Sequence, residues 1–186
     1  MGSDKASLML AGQTLLQRSV AVLSEVAAEI VIVHAPGQRL PARELVVPTT
    51  LIEDPVEGEG PLIGIAAGLR HAALETALVV AVDMPFLQPS LLRLLAGRAT
   101  SGRRIVVPMY LDRPQPLCSA FRRDALATID RYIEAGERRI MTVADDLGAE
   151  RLAPEGWSTA DPHGRSFDNV NTPEEFAAAL AVLAGK

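Results

Sequence analysis

Three groups of residues in this 186-residue chain have the types and spacing to do chemistry. The first is Asp83, which follows the apolar run Leu78-Val79-Val80-Ala81-Val82 and precedes Met84-Pro85. A buried strand that stops at an acid sets a carboxylate at a strand's carboxyl end, where open α/β sheets bind ligands. There it can hold a magnesium ion that neutralises nucleotide phosphates. The same placement also suits an Asp that starts the turn into the next helix. The second group is Gly60-Pro61-Leu62-Ile63-Gly64, continuing to Gly68. Glycines four apart on one helix face admit a flat ligand or a backbone, and exposed N–H groups at a helix start suit an anion. Tight packing of a helix on a sheet uses the same spacing. The third is Asn169-Val170-Asn171-Thr172-Pro173, where amides at alternate positions of an extended segment face one way as neutral hydrogen-bonding groups. Capping of the following helix explains Thr172 fully and Asn169 less well.

Lys5, at the end of Met1-Gly2-Ser3-Asp4-Lys5, could cancel phosphate charge or simply be solvated. Arg138 and Arg139, after Gly136-Glu137, could bind an anionic substrate or form a solvated helix start. Glu57 and Glu59 read as a solvated loop. His34, His71 and His163 have no metal-ligand spacing, although His34 lies at a strand end. Cys118, the single cysteine, sits in an apolar run and reads as core; alone it excludes an internal disulfide framework. The Leu10-Ala11-Gly12-Gln13 segment is too short for a nucleotide fingerprint.

The elements that must position these groups alternate between two periodicities. Residues 14–27 repeat apolar positions at helical spacing, and Glu29–His34 is a β-branched run ending at Pro36-Gly37. Leu45–Val47 is a weaker strand candidate, followed by a turn-rich stretch from Glu53 to Gly60. Pro61 opens a helix to about Leu74. Further segments read as strand 78–82, helix 89–96, strand 105–107, strand 117–121, helix 124–135 with Asp124 as N-cap, and helix 139–147. Thr172 caps a last helix beginning at Pro173, with Glu174 and Glu175 in its first turn. Residues 154–167 read as a long polar loop. Alternating strands and helices predict a single α/β domain over 1–186, an open, mostly parallel sheet flanked by helices.

Composition narrows the function classes. Hydrophobic residues are 48% and aromatics only 4%, so the core is built from aliphatic side chains. Eighteen basic against 23 acidic residues give a net charge of −5, which argues against nucleic-acid binding through a basic face. Apolar runs are too short to span a bilayer and no charged-then-apolar leader opens the chain, so a cytoplasmic location is expected. Of the basic residues, only Lys5 and Lys186 are lysines.

Taken in order, Met-Gly-x-Asp-Lys, Glu-Asp-Pro before Gly-Pro-Leu-x-Gly, Val-Asp-Met-Pro-Phe, Gly-Glu-Arg-Arg-Ile-Met and Asn-Val-Asn-Thr-Pro-Glu-Glu resemble the molybdenum cofactor guanylyltransferases over Met1 to about Leu183. The resemblance implies a Rossmann-like fold of the nucleotide-diphospho-sugar transferase type. It also implies transfer of GMP from GTP to molybdopterin, with Mg²⁺ as cofactor. Recipients would be molybdoenzyme apoproteins or other cofactor-biosynthesis proteins, with no nucleic-acid or membrane partner. Carried over, Lys5 would contact the triphosphate and Asp83 would bind magnesium. Asp54 would lie beside the nucleotide, and Gly60, Pro61, Leu62 and Gly64 would pack against guanine or ribose. Asn169 and Asn171, with Arg138, would face the pterin. A cytidylyl- or sugar-phosphate nucleotidyltransferase is the near alternative, and a non-catalytic molybdopterin-binding relative the more distant one. The chain departs from the family pattern in two places. Relatives carry an apolar strand and a Leu-Ala-Gly-Gly-x-Ser-x-Arg loop ahead of Met-Gly-x-Asp-Lys, and many carry an Asn where Ala35-Pro36 stands. Lack of that strand predicts two neighbouring strands with unpaired edges, unless another element fills the gap.

Overall fold

A computed structural model of the chain describes residues 5–41, 45, 47–56, 58–100 and 102–185. Met1 to Asp4, Val46, Glu57 and Lys186 lie outside the described residues. After a 3₁₀ turn at Lys5–Ser7, β1 (Met9–Leu10) and β2 (Gln13–Thr14) form a tight hairpin. Its turn residues Ala11 and Gly12 both have positive φ, as a two-residue type I′ turn requires. Helix α1 (Leu15–Leu23) opens on a capping box, in which Thr14 accepts from the Gln17 N–H and Gln17 accepts from that of Thr14. It stops short of residue 27, where the Ser24 hydroxyl bonds back to the Ala21 carbonyl.

Strands β3 (Val31–His34) and β4 (Thr50–Glu53) pair in parallel as one small sheet. Of the strand expected at 45–47, Leu45 and Val47 are not in a strand and Val46 lies outside the described residues; the described pairing starts at Thr50. Pro48 lacks an N–H and restricts Val47, so the ladder starts beyond it, while Leu45 and Val47 pack against the cluster around Leu16, Val20 and Ile30. Helix α2 (Pro61–His71) leads to β5 (Thr76–Val80), α3 (Pro89–Thr100), the hairpin β6 (Ile105–Tyr110) and β7 (Arg113–Pro114), and β8 (Cys118–Arg122). Then come α4 (Leu126–Glu134), α5 (Ile140–Asp146), β9 (Glu150–Leu152), α6 (Pro154–Trp157) and α7 (Pro173–Leu183). Residues Arg123–Ala125 form a 3₁₀ turn ahead of α4, so Asp124 is not the N-cap expected of it; its carboxylate faces Arg122 and Arg104 instead.

In the larger sheet β8 lies between β5 and β6, antiparallel to both, and β9 runs parallel to β6. Strands β5, β6 and β9 therefore share one direction with β8 and β7 reversed, so the larger sheet is mixed, and the parallel pairings among the described residues are β3 with β4 and β6 with β9. Side chains alternate across the sheet. Ile105, Val107 and Phe121 face α2, α4 and α5, while Val106, Cys118 and Ala120 face α3. Residues 154–167, expected as a loop, contain α6 and end in a 3₁₀ turn. Trp157 and Phe167 are buried there and stack with Tyr110 at centroid distances of 6.1 and 5.0 Å. The sequence hides this because two anchoring aromatics are set among polar residues.

The two sheets face each other across a cavity of about 660 Å³. On β3, residues 30 and 34 turn their carbonyls to β4, so Val31 and Val33 present their backbone groups to the cavity. On β5, Glu75 and Ala81 bond toward β8, so Thr76, Leu78 and Val80 face the cavity. Among the described residues neither edge pairs with a strand. The two unpaired edges expected from the sequence are present. They explain why β5, read as a buried strand, is only half-buried along its length, and the Thr76 hydroxyl lies buried without a hydrogen-bond partner. Glu29 accepts from the N–H groups of Ala73 (2.8 Å) and Leu74 (3.1 Å), fixing the start of β5 beside the start of β3. Helix α1 covers one face of the cavity and α2 the other.

Candidate active site

Asp83 stands three residues beyond β5, on a turn pinned by the buried side chains of Met84 and Leu87. Its side chain is 15% exposed. Its carbonyl accepts from the Val170 N–H at 2.9 Å, which ties the segment 169–172 alongside. Lys5 arrives from the opposite end of the chain on the 3₁₀ turn, anchored by buried Ala6. Its ammonium lies 2.8 Å from Asp83 Oδ2 and donates a second hydrogen bond to Asn171 Oδ1. Asn171 is held in turn by its N–H, which donates to Glu175 Oε2 at 2.6 Å, the same carboxylate that completes the α7 capping box with Thr172. Residues 78 and 166 positions away from Lys5 in the chain therefore meet it at one point.

Asn169 does not join them. Its amide donates to the Phe167 carbonyl at 3.3 Å, and residues 169–171 form no strand, so the two asparagines do not present a shared face. Capping of the last helix accounts for Thr172 and Glu175, and the Lys5 contact accounts for Asn171.

Asp54 follows the last residue of β4. Its N–H donates to the His34 carbonyl at 2.7 Å, and its Oδ1 accepts from the Val56 N–H at 3.1 Å. A Cβ placed on Gly64 would lie 3.6 Å from Asp54 Oδ2 and 3.7 Å from Val33, and one on Gly68 3.5 Å from Val33. The glycine face of α2 therefore packs closely on β3, with Gly64 also beside the Asp54 carboxylate. Gly60, at φ 92°, leads into the helix without a side-chain cap, leaving the first N–H groups of α2 uncapped by any side chain. Pro61 lines the cavity, as do His34, Asp54 and Val82, the neighbour of Asp83. The Leu62 side chain points away into the core, so only its N–H stands at the helix start.

Arg138 is already engaged. Its Nε and Nη2 lie 2.7 and 2.5 Å from Glu59 Oε2, and Nη1 donates to the Ile133 and Glu137 carbonyls. Glu59, read as part of a solvated loop, is thus a long-range ion-pair partner that local sequence gave no sign of. Arg139 pairs with Glu137, and this guanidinium, aided by the Arg139 and Arg138 N–H groups, holds the Glu137 carboxyl down to about 2. Cys118 is buried, and desolvation, with the charge of Asp161 second, pushes its thiol up to about 12, a core residue and not a nucleophile.

Among the described residues no group of three or more His, Cys, Asp or Glu could hold a metal. One carboxylate at a strand end fits magnesium, which keeps several waters and is bound through one or two carboxylates plus substrate phosphates. No helix among the described residues is long and apolar enough to cross a membrane.

Known proteins resemble this chain along nearly its whole length. A probable molybdenum cofactor guanylyltransferase of Chloroflexus aggregans is 35% identical over 187 residues, covering 98% of this chain and 88% of that protein. The crystal structure of molybdopterin-guanine dinucleotide biosynthesis protein A from Archaeoglobus fulgidus superposes with a TM-score of 0.84 at 28% identity, covering 100% of this chain and 93% of that one. The 2-C-methyl-D-erythritol 4-phosphate cytidylyltransferase of Thermus thermophilus shares the fold, with a TM-score of 0.76 at 21% identity and 98% and 95% of the two chains covered. The family model of the MobA-like NTP transferase domain matches residues 1–150. With that match and the relatives' similarity along nearly its whole length, the chain belongs to the molybdenum cofactor guanylyltransferases, within the MobA-like nucleotidyltransferases.

Proposed function

We propose that this chain transfers GMP from GTP to molybdopterin. An oxygen of the molybdopterin phosphate forms a bond to the α-phosphorus of GTP, the bond from that phosphorus to the β-phosphate bridge breaks, and pyrophosphate leaves with the electron pair. Such a reaction needs charge neutralisation and in-line positioning more than a protein nucleophile. The convergence of Lys5, Asp83 and Asn171 carries this reading, since it sets a compact cation and a carboxylate side by side at the carboxyl end of β5. Lys5 holds the triphosphate, and Asp83 holds magnesium. When bound, magnesium neutralises phosphate charge and orients the leaving group. Asp54 and the Gly60–Gly64 turn receive the nucleotide, with the uncapped N–H groups of α2 directed at its polar edge. Asn169, Asn171 and Arg138 face molybdopterin, Arg138 by way of its Glu59 ion pair, which an anionic substrate replaces. The dinucleotide product passes to apoproteins in the cytoplasm.

GTP with Mg²⁺ at a hundred times its Kd adds about 2.7 kcal/mol of stability, roughly 5–10 °C in Tm for a chain of this size. Asp83→Ala is expected to abolish guanylyl transfer, and persistent transfer would overturn the metal assignment. Stronger protection by CTP than by GTP would move the chain to the cytidylyltransferases. The open edges of β3 and β5 beside Asp54 favour one second reading, a molybdopterin-binding protein that does not grip GTP. Tight GTP binding by the 186-residue chain would reject it.

A further inference from the structure

We infer that Lys5 is an exchangeable counter-ion for Asp83, which admits a divalent cation only together with a polyphosphate. The inference rests on the guanylyl-transfer reading for its biological meaning and on the geometry for its substance. In the free protein the Asp83 carboxylate is already ion-paired, with the Lys5 ammonium 2.8 Å from its Oδ2. The ammonium is held on its other side by Asn171, a neutral acceptor that keeps it in place without competing for a cation as a second carboxylate would. Asn171 is itself fixed by Glu175, and the Val170 N–H clamps the segment to the Asp83 carbonyl, so the acceptor pair is preformed.

A divalent cation arriving alone meets a carboxylate whose charge is already matched and an ammonium a few ångströms away that repels it. A polyphosphate changes this balance. The Lys5 side chain is 38% exposed, with one of its three donors unspent on Asp83 and Asn171, and its flexible stem can swing the ammonium onto phosphate oxygens. Asp83 would then be uncovered for a cation that arrives with those phosphates. Metal and nucleotide then each raise the affinity for the other by the same factor.

Composition makes the exchange directly visible, since Lys5 and Lys186 are the only lysines. Protein labelled with ¹⁵N at lysine gives two ammonium signals. Tripolyphosphate without metal is expected to move the Lys5 signal, and Mg²⁺ alone at millimolar concentration to leave it in place. Displacement by Mg²⁺ alone, or indifference to tripolyphosphate, would overturn the inference. In a second arm, Mn²⁺ binding without nucleotide is followed by electron paramagnetic resonance. Lys5→Met is expected to bind Mn²⁺ about tenfold more tightly than the unaltered chain, since one opposing charge is gone, and Lys5→Met with Asp83→Asn loses that gain. Equal or weaker binding by Lys5→Met would show that Lys5 does not guard the carboxylate. Neither arm involves guanine, molybdopterin or turnover, so a failed guanylyl-transfer assay and a failed exchange are told apart.

Discussion

Replacing Gly64 by alanine separates the two uses of the glycine face of α2. The added Cβ would meet Asp54 Oδ2 at 3.6 Å and Val33 Cγ1 at 3.7 Å, both ordinary contact distances. Nothing has to move, so the sign of the stability change follows backbone entropy, and alanine in a helix interior is favoured over glycine by about 0.8–1.0 kcal/mol. For a chain of this length that is a rise in Tm of roughly 2–4 °C. Gly68→Ala, whose Cβ would lie 3.5 Å from Val33 Cγ2, is the control, with the same helical gain and no carboxylate nearby. Scanning calorimetry reads the stability of both variants, and isothermal titration with GTP and Mg²⁺ reads the site. If the nucleotide lies on this turn beside Asp54, Gly64→Ala weakens GTP binding about tenfold, ~1.4 kcal/mol, and Gly68→Ala leaves it unchanged. A fall in Tm for Gly64→Ala would refute the packing geometry, because it would mean that α2 approaches β3 too closely for any side chain. A rise in Tm with undiminished GTP affinity would take Gly64 out of the nucleotide site and leave it a packing residue alone.

Cys118 should resist a thiol reagent at pH 8 in the folded protein and react at once in denaturant, because burial pushes its thiol up to about 12; rapid native-state labelling would contradict its place under α3. The Glu137 carboxyl, held down to about 2 by Arg139, stabilises the 136–139 loop fully above its ordinary value of 4.5, and that contribution is lost as pH falls through about 2. An NMR titration should find this low midpoint, and Arg139→Ala should return it toward 4.5. Thr172→Ala removes one half of the α7 capping box and should cost about 1 kcal/mol in urea unfolding, and a change below about 0.3 kcal/mol would show that α7 holds without its cap.

Much of the site was legible because local rules and tertiary structure agree there. The apolar run before Asp83 forms a strand, half-buried and ending at Val80, and the acid three residues on stands beyond its carboxyl end. Thr172-Pro173-Glu174-Glu175 is a helix start in any context, and the structure uses it as one. The illegible parts depend on partners far away in sequence. Glu59 looks solvated until Arg138 is brought to it across 79 positions. Asn169 and Asn171 share a face only if their segment is extended, and the bond from Val170 to Asp83 gives it another course. Proline decided the other miss, since Val47 has the composition of a strand but precedes Pro48, which moves the pairing to Thr50.

The cavity between β3 and β5 has a consequence for how the molecule survives in solution. No backbone ladder among the described residues joins the two sheets; continuity between them runs through α1, α2 and the Glu29 carboxylate. Each flanking edge is largely aliphatic, the composition that pairs most readily with another chain. The helices are what keep those edges from meeting a neighbour. Loosening of either helix uncovers two adhesive edges together, and a collision in that interval is a second-order event. Self-association of the described residues would then depend on concentration as much as on temperature, and a ligand that holds α2 against β3 would protect against it as well as against heat.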